Sequence, residues 1–159
     1  MSNYIIRPIN DNEYGILERF LYEAIFIPQG TEPPPSEIIE KPELQIYTEN
    51  FGRKDDYCLV AETDNKIVGA VWVRIMDDYG HIDNNTPSLA ISLYKDFRGH
   101  GIGTALLKNM LLLLKSENYE KVSLSVQKEN YACRMYLKAG FEVVSENDEE
   151  YIMIRNLQK

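Results

Sequence analysis

The stretch Leu89-Ala90-Ile91-Ser92-Leu93-Tyr94-Lys95-Asp96-Phe97-Arg98-Gly99-His100-Gly101-Ile102-Gly103-Thr104 decides how this chain folds. An apolar strand, Ser88–Leu93, runs into a turn dense in glycine, and a greasy helix opens at once behind it. The helix is predicted over Ile102–Glu117. Leu106, Leu107, Met110, Leu111, Leu113 and Leu114 make it apolar on nearly all sides, so it is predicted to be buried on more than one face. The first amides of a helix have no internal partner and carry the positive end of the dipole. Glycines before them let a ligand reach the backbone, which makes a candidate anion site with Arg98 beside it. A turn with glycines chosen for conformation alone is the competing reading. Gly99, Gly101 and Gly103 run G-x-G-x-G, not the G-x-G-x-x-G of a dinucleotide fingerprint, and no acidic residue closes Lys121–Val126. The G-K-S/T of a Walker loop is absent.

Outward from this stretch the chain alternates strands and helices. Tyr4–Ile9 reads as a first strand. Asp11 is the predicted N-cap of a helix to about Ala24 or Phe26, with Ile16, Leu17, Phe20, Leu21 and Ala24 at helical spacing. Within Gln29–Ser36, Pro33, Pro34 and Pro35 forbid a helix and stiffen an extended segment. Ser36 caps a short helical piece, and Glu43–Phe51 is predicted as another. Tyr57–Glu62 and Ile67–Ile75 form a hairpin through Thr63-Asp64-Asn65-Lys66, and Met76–Thr86 is a polar loop. Lys121–Val126 alternates valine with serine. Asn130–Ala139 is a short helix stopped by Gly140, and Phe141–Val144 and Tyr151–Ile154 are the last strands. This order predicts a mixed α/β sheet with helices on both faces. The helix Ile102–Glu117 is long enough to return the chain, so Ser88–Leu93 and Lys121–Val126 are expected side by side and roughly parallel. With no repeat, linker or low-complexity tract, residues 1–159 are expected to be one domain.

Composition narrows the function. At 44% hydrophobic residues the chain buries a real core, which excludes disorder. A formal charge of −8 argues against a nucleic-acid binder and against an anionic membrane surface, and suits a cationic partner. Cys58 and Cys133 have no metal or redox spacing and read as small buried hydrophobes in a reducing compartment. Met1–Arg7 lacks the pattern of a secretory leader, and Ala105–Leu114, broken by Lys108 and Asn109, is too short for a membrane span. The expectation is a cytoplasmic protein, monomeric or homodimeric.

A second motif, Asn130-Tyr131-Ala132-Cys133-Arg134-Met135-Tyr136-Leu137-Lys138-Ala139-Gly140-Phe141, follows the first across one helix and one strand. On its own it reads as a capped helix with a glycine stop. Together the two motifs resemble those of the GNAT acetyltransferases: R/Q-x-x-G-x-G/A at Arg98-x-x-Gly101-x-Gly103, with Phe97 and Leu106-Leu107 as flanks, and N-x-A-x-x-x-Y-x-x-x-G-F at Asn130–Phe141. The resemblance covers Tyr57–Ile154 well and the first fifty residues in outline. It implies a mostly antiparallel central sheet with one splayed parallel pair. It also implies acetyl-CoA as acyl donor, with the coenzyme A pyrophosphate on the amides of Gly99, His100, Gly101, Ile102, Gly103 and Thr104 beside Arg98. Backbone groups of Ile91, Ser92 and Leu93 would meet the pantetheine arm, Asn130 would contact the coenzyme, and Tyr136 would be the general acid.

Acetyl transfer from a thioester requires a neutral amine, a donor for the oxyanion and a proton for the leaving thiolate. A strand amide such as that of Leu93 suits the oxyanion, the resemblance makes Tyr136 the general acid, and Cys133 is not needed as a nucleophile. Glu32, Glu62, His81 and Asp83 are candidate bases by residue type, none of them assigned. The acceptor is an amine of a small molecule or peptide, and the charge suits a cationic one. Ile25–Ser36 and Met76–Thr86 are expected to shape its pocket, with Trp72 and Tyr79 as further wall candidates. A non-catalytic acyl-CoA-binding module and a nucleotide-binding protein are the competing functions.

Overall fold

The computed structural model describes residues 3–158. Met1, Ser2 and Lys159, at the ends of the expected domain, lie outside the described residues, as does the beginning of the stretch read for a leader. The strands are β1 (Ile5–Pro8), β2 (Tyr57–Thr63), β3 (Lys66–Arg74), β4 (Ser88–Leu93), β5 (Lys121–Gln127), β6 (Glu142–Glu146) and β7 (Glu150–Asn156). The helices are α1 (Leu17–Ala24), α2 (Pro42–Gln45), α3 (Ile102–Ser116) and α4 (Cys133–Lys138).

Side-chain alternation on β2 and β3 builds the centre of the molecule. Leu59, Ala61, Val71 and Val73 face one side, where Ile102, Leu106, Leu107, Met110 and Leu114 of α3 cover them. Cys58, Val60, Ala70 and Trp72 face the other, under Leu17, Phe20 and Leu21 of α1. Burial on both faces explains why these strands read as nearly continuous apolar runs. Each large side chain so buried contributes about 1.5–3 kcal/mol. Asp64 and Asn65 both take positive φ and turn β2 into β3, as a two-residue hairpin requires.

The sheet order is β1-β2-β3-β4-β5-β7-β6. Every neighbouring pair is antiparallel except β4 and β5, which are parallel and share one register pair, Ser88 with Ser123. The mixed, mostly antiparallel sheet with a splayed parallel pair is therefore as expected. Helix cover does not reach β6, an edge strand with all five residues exposed.

Helix ends and the burial of α3 differ from the sequence reading. The first helical turn is a 3-10 turn over Asp11–Ile16, capped at Asn10 and not at Asp11, because Glu13 reaches back to the Asn10 N–H at 2.8 Å. The helix expected over Glu43–Phe51 stops after Gln45. The carbonyls of Ile46 and Glu49 are taken by the Arg74 guanidinium and that of Tyr47 by the Trp72 indole, so the backbone turns instead of winding on. Asn130 does not cap α4 directly; its side chain accepts from the Ala132 N–H in a local turn, and the helix begins at Cys133. On α3, Leu112 is exposed and Leu111 and Leu113 are only partly buried, so one broad face is sealed.

Candidate active site

The divergence of β4 from β5 places unpaired backbone at the middle of the sheet. The Tyr94 N–H bonds to Val68, so alternation along the β3–β4 ladder turns Ser92 and Ala90 toward β3. It turns Ile91 and Leu93 toward β5, and β5 has moved away beyond Ser123. The N–H groups of Ile91 and Leu93 thus face a fork with no strand partner among the described residues. Ser92 does not join them: its backbone pairs with Ala70, and its hydroxyl donates to the Phe20 carbonyl at 2.6 Å. Ser92 thus ties β4 to α1, and its backbone groups turn away from the fork.

At the mouth of the fork α3 begins. Gly101 is its N-cap with φ 86°, a left-handed conformation that costs an L side chain about 1–2 kcal/mol. The first helical bond is from Ala105 to the Gly101 carbonyl, which leaves the amides of Gly101, Ile102, Gly103 and Thr104 free of the helix. Gly99, His100, Gly101 and Thr104 are exposed. Gly103 lies between Leu93 and Met135, and a Cβ there would touch them at 3.5 and 3.6 Å. This arrangement suits an anion at the mouth and a slender chain in the fork. Arg98 is committed elsewhere: its Nε donates to the Leu93 carbonyl at 3.0 Å, and its guanidinium pairs with Glu23 of α1 at 3.0 Å.

Tyr136 stands on the α3 side, edge-on to Phe141 and buried in the same apolar cluster as Leu124, Val126 and α3. Burial, with the Cys133 thiol nearby, pushes its phenol above the ordinary range, which keeps it protonated. Burial likewise raises both cysteine thiols. Protonated thiols are poor nucleophiles, which speaks against an acyl-carrying Cys133.

The opposite face of the fork is polar, and the sequence did not disclose it. β5 turns Leu124 and Val126 to the α3 core and Ser123 and Ser125 to the other side. Over those serines lies the loop between β3 and β4. Gly80 packs so close that a Cβ would stand 3.2 Å from the backbone of Leu124 and Ser125, and its carbonyl accepts from Ser123. Asp78 of this loop accepts from the Ser88 hydroxyl at 2.9 Å and from the Tyr47 phenol at 3.0 Å. Ser125 and Glu150 also neighbour that phenol. The serine alternation of Lys121–Val126 was the available signal for this polar face; Tyr47 and Asp78 carried none.

The candidate bases disperse. Glu32 is exposed, Glu62 is held by Arg7 on the far part of the sheet, and Asp83 binds Asn85, Thr86 and Lys121. The Nδ1 atom of His81 is buried without a hydrogen-bond partner among the described residues. Trp72 is core, donating to the Tyr47 carbonyl. Tyr79 is exposed and accepts from Asn147. The proline run is pinned by a hydrogen bond from Tyr22 to the Pro34 carbonyl, beside a groove of about 530 Å³ lined by Tyr22, Glu23, Ser36, Ile39 and Tyr94.

Residues 21–141 match the model of the acetyltransferase (GNAT) family. The chain belongs to that family. Among GNAT relatives, an N-alpha-acetyltransferase of Sulfolobus acidocaldarius is 32% identical over 110 residues, covering 59% of this chain and 65% of that protein. A mycothiol acetyltransferase of Propionibacterium freudenreichii is 34% identical over 80 residues, 50% of this chain and 25% of that one. The chain thus spans less than two thirds of each of these relatives. Among solved structures, the PaiA N-acetyltransferase of Thermoplasma acidophilum in complex with coenzyme A superposes with a TM-score of 0.69 at 21% identity, covering 98% of this chain and 99% of that one. The ribosomal-protein-S18-alanine N-acetyltransferase of Escherichia coli gives 0.70 at 15% identity, over 99% and 96%. At these identities the likeness concerns the GNAT fold. No helix among the described residues is long and apolar enough to cross a membrane.

Proposed function

We propose that this chain transfers an acetyl group from acetyl-CoA to a primary amine by direct attack. The observation that carries the reading is the fork itself: free Ile91 and Leu93 amides ending at a helix start whose four leading amides are unpartnered. The amides of Gly99–Thr104 would hold the pyrophosphate, and the open backbone of β4 would pair with the pantetheine arm. Acetyl-CoA supplies the activated thioester. The Leu93 N–H donates to the oxyanion as the amine attacks. Tyr136, kept neutral by burial, gives its proton to the departing sulfur. Asn130, in the turn before α4, would contact the coenzyme.

Two relatives bear the name N-alpha-acetyltransferase, which supports including peptide amino termini among the acceptors. The charge of −8 supports cationic acceptors beside them. The test is thiol release from acetyl-CoA over a panel of polyamines, aminoglycosides, lysine and peptides, run with the wild type and Tyr136→Phe. The expected result is turnover with one class and a loss of about 10²–10⁴-fold in kcat for the variant, at unchanged coenzyme A affinity and melting temperature. Coenzyme A binding with no thiol release on any amine would identify a non-catalytic binding module instead.

A further inference from the structure

We infer that Tyr47 and Asp78 form the proton relay that neutralises the incoming amine. This rests on the acetyl-transfer reading of the fork. A thioester carbonyl held between β4 and β5 has two faces. Tyr136 occupies the side of α3 and α4, where the sulfur leaves. The amine then approaches from the other side, and the polar groups there converge on one phenol. Tyr47 bonds Asp78, which is bonded in turn to Ser88, the last residue of β4 in register with β5. Ser125, two residues farther along β5, neighbours the same phenol. The Tyr47 hydroxyl is thus tied to β4 through Asp78 and Ser88 and lies near Ser125 of β5.

The surroundings suit a cation. Asp78 and Glu150 supply two carboxyl groups, and the titratable neighbours are Tyr47 from the segment after α2, Glu150 from β7 and His81 from the loop of Asp78 itself. β4 and β5 contribute the hydroxyls of Ser88 and Ser125, and Lys121 of β5 is paired with Asp83. Burial raises the Asp78 carboxyl above its ordinary range, which makes it a stronger base than a surface aspartate.

The substrate ammonium gives a proton to the Tyr47 oxygen while the phenol proton passes to Oδ2 of Asp78. The freed lone pair forms the N–C bond at the thioester carbonyl carbon. The C–S bond breaks with its electron pair on sulfur, which takes the Tyr136 proton. The nitrogen's second proton follows the first through Tyr47 and Asp78 to solvent, and Tyr136 recovers one proton from solvent. One ammonium and one thioester yield one amide, one thiol and one proton. Tyr47 touches the amine; Asp78 acts through it.

The test compares wild type, Tyr47→Phe and Asp78→Asn with the fastest amine of the acceptor panel, as kcat/KM against pH. A parallel arm uses hydroxylamine, which is already neutral at pH 7. The expected result is a loss of about 10²-fold at pH 7 in both variants, with coenzyme A affinity by calorimetry and melting temperature near wild type. The loss shrinks as pH approaches the pKa of the amine, and it is nearly absent with hydroxylamine. A loss independent of pH and equal with hydroxylamine would make the pair a loop anchor and overturn the relay, as would full activity in both variants. Tyr47→Phe, which keeps the ring packing, decides the matter if Asp78→Asn does not fold. Absence of wild-type turnover with any amine would overturn the acetyl-transfer reading and the relay with it. Wild-type turnover with unaffected variants would overturn the relay alone.

Discussion

The two edges of β4 are built to opposite ends. Toward β3 it holds six register pairs, Ser88 with Arg74 through Leu93 with Gly69; toward β5 it holds one. The closed edge is reinforced from outside. Arg74, at its base, is 3% exposed and bonded to Asp56 and to the carbonyls of Ile46 and Glu49. The open edge is left with the amides of Ile91 and Leu93 facing away from β3. The difference teaches that the sheet is rigid on one side so that it can be unfinished on the other. Preorganised donors act without reorganising only if their strand is fixed, and β3 with its Arg74 clamp fixes it.

The closed edge is most vulnerable at the clamp. Asp56→Ala leaves the buried Arg74 guanidinium without its carboxylate, which costs about 3–5 kcal/mol. A melting temperature lower by about 10 °C is expected, since each kcal/mol moves a domain of this size by about 2–4 °C. A fall of only a degree or two would show the closed edge to be stable without the clamp. Gly103→Val attacks the open edge instead. Its Cβ makes ordinary contacts with Leu93 and Met135, so the fold accepts it, while the added methyl groups crowd the fork. Overpacking of about 1–3 kcal/mol corresponds to a loss of about tenfold or more in coenzyme A affinity, read by calorimetry on a folded variant. Unchanged affinity would return Gly103 to a purely conformational role.

Glu23→Gln sharpens the comparison. Glu23 neutralises Arg98 at the mouth of the fork, with both side chains partly exposed. Freeing the guanidinium is expected to strengthen coenzyme A binding by about 2–5-fold, an effect that fades at high salt. No change at low salt would leave Arg98 as a backbone clamp on Leu93 alone. The smallest effect lies at the distant edge of the sheet. The Arg7 guanidinium, and then the Asn10 N–H, hold the Glu13 carboxyl down at about 2, against an ordinary 4.5. With the folded pKa depressed, the stabilisation is present above the unfolded value and is lost as pH falls toward 2. Glu13→Gln should lower the melting temperature by about 1–2 °C at pH 7, and the gap should close by about pH 2. Coenzyme A affinity should not move; if it did, the edges of the sheet would be coupled through β2 and β3.

The glycine-rich mouth of the fork was legible because its determinants are contiguous. Arg98–Thr104 and Asn130–Phe141 each encode a turn, a helix start and a side chain at fixed spacing, and the splay follows from the long return through α3. Alternation then divides what the motif joined: Ser92 looks like its neighbours Ile91 and Leu93 in sequence yet faces α1. The polar face behind the fork is assembled from residues far apart in the chain. Tyr47 is separated from Asp78 by 31 positions and owes its place to the early end of α2, which depends on carbonyls captured by Arg74 and Trp72. No local pattern announces such a contact. Asp78 sits in a loop that reads as ordinary polar surface, until Gly80 lets that loop settle against β5.

The direct test of the fork as a coenzyme A site is a thermal melt of the wild-type protein with coenzyme A, acetyl-CoA, ATP and NAD in turn. At a hundred times its dissociation constant a bound ligand adds about 2.7 kcal/mol, which is about 5–10 °C for a domain of this size. Stabilisation of that order by coenzyme A and acetyl-CoA, with none from ATP or NAD, is the predicted result. Stabilisation by ATP or NAD, with coenzyme A leaving the melt unchanged, would contradict it.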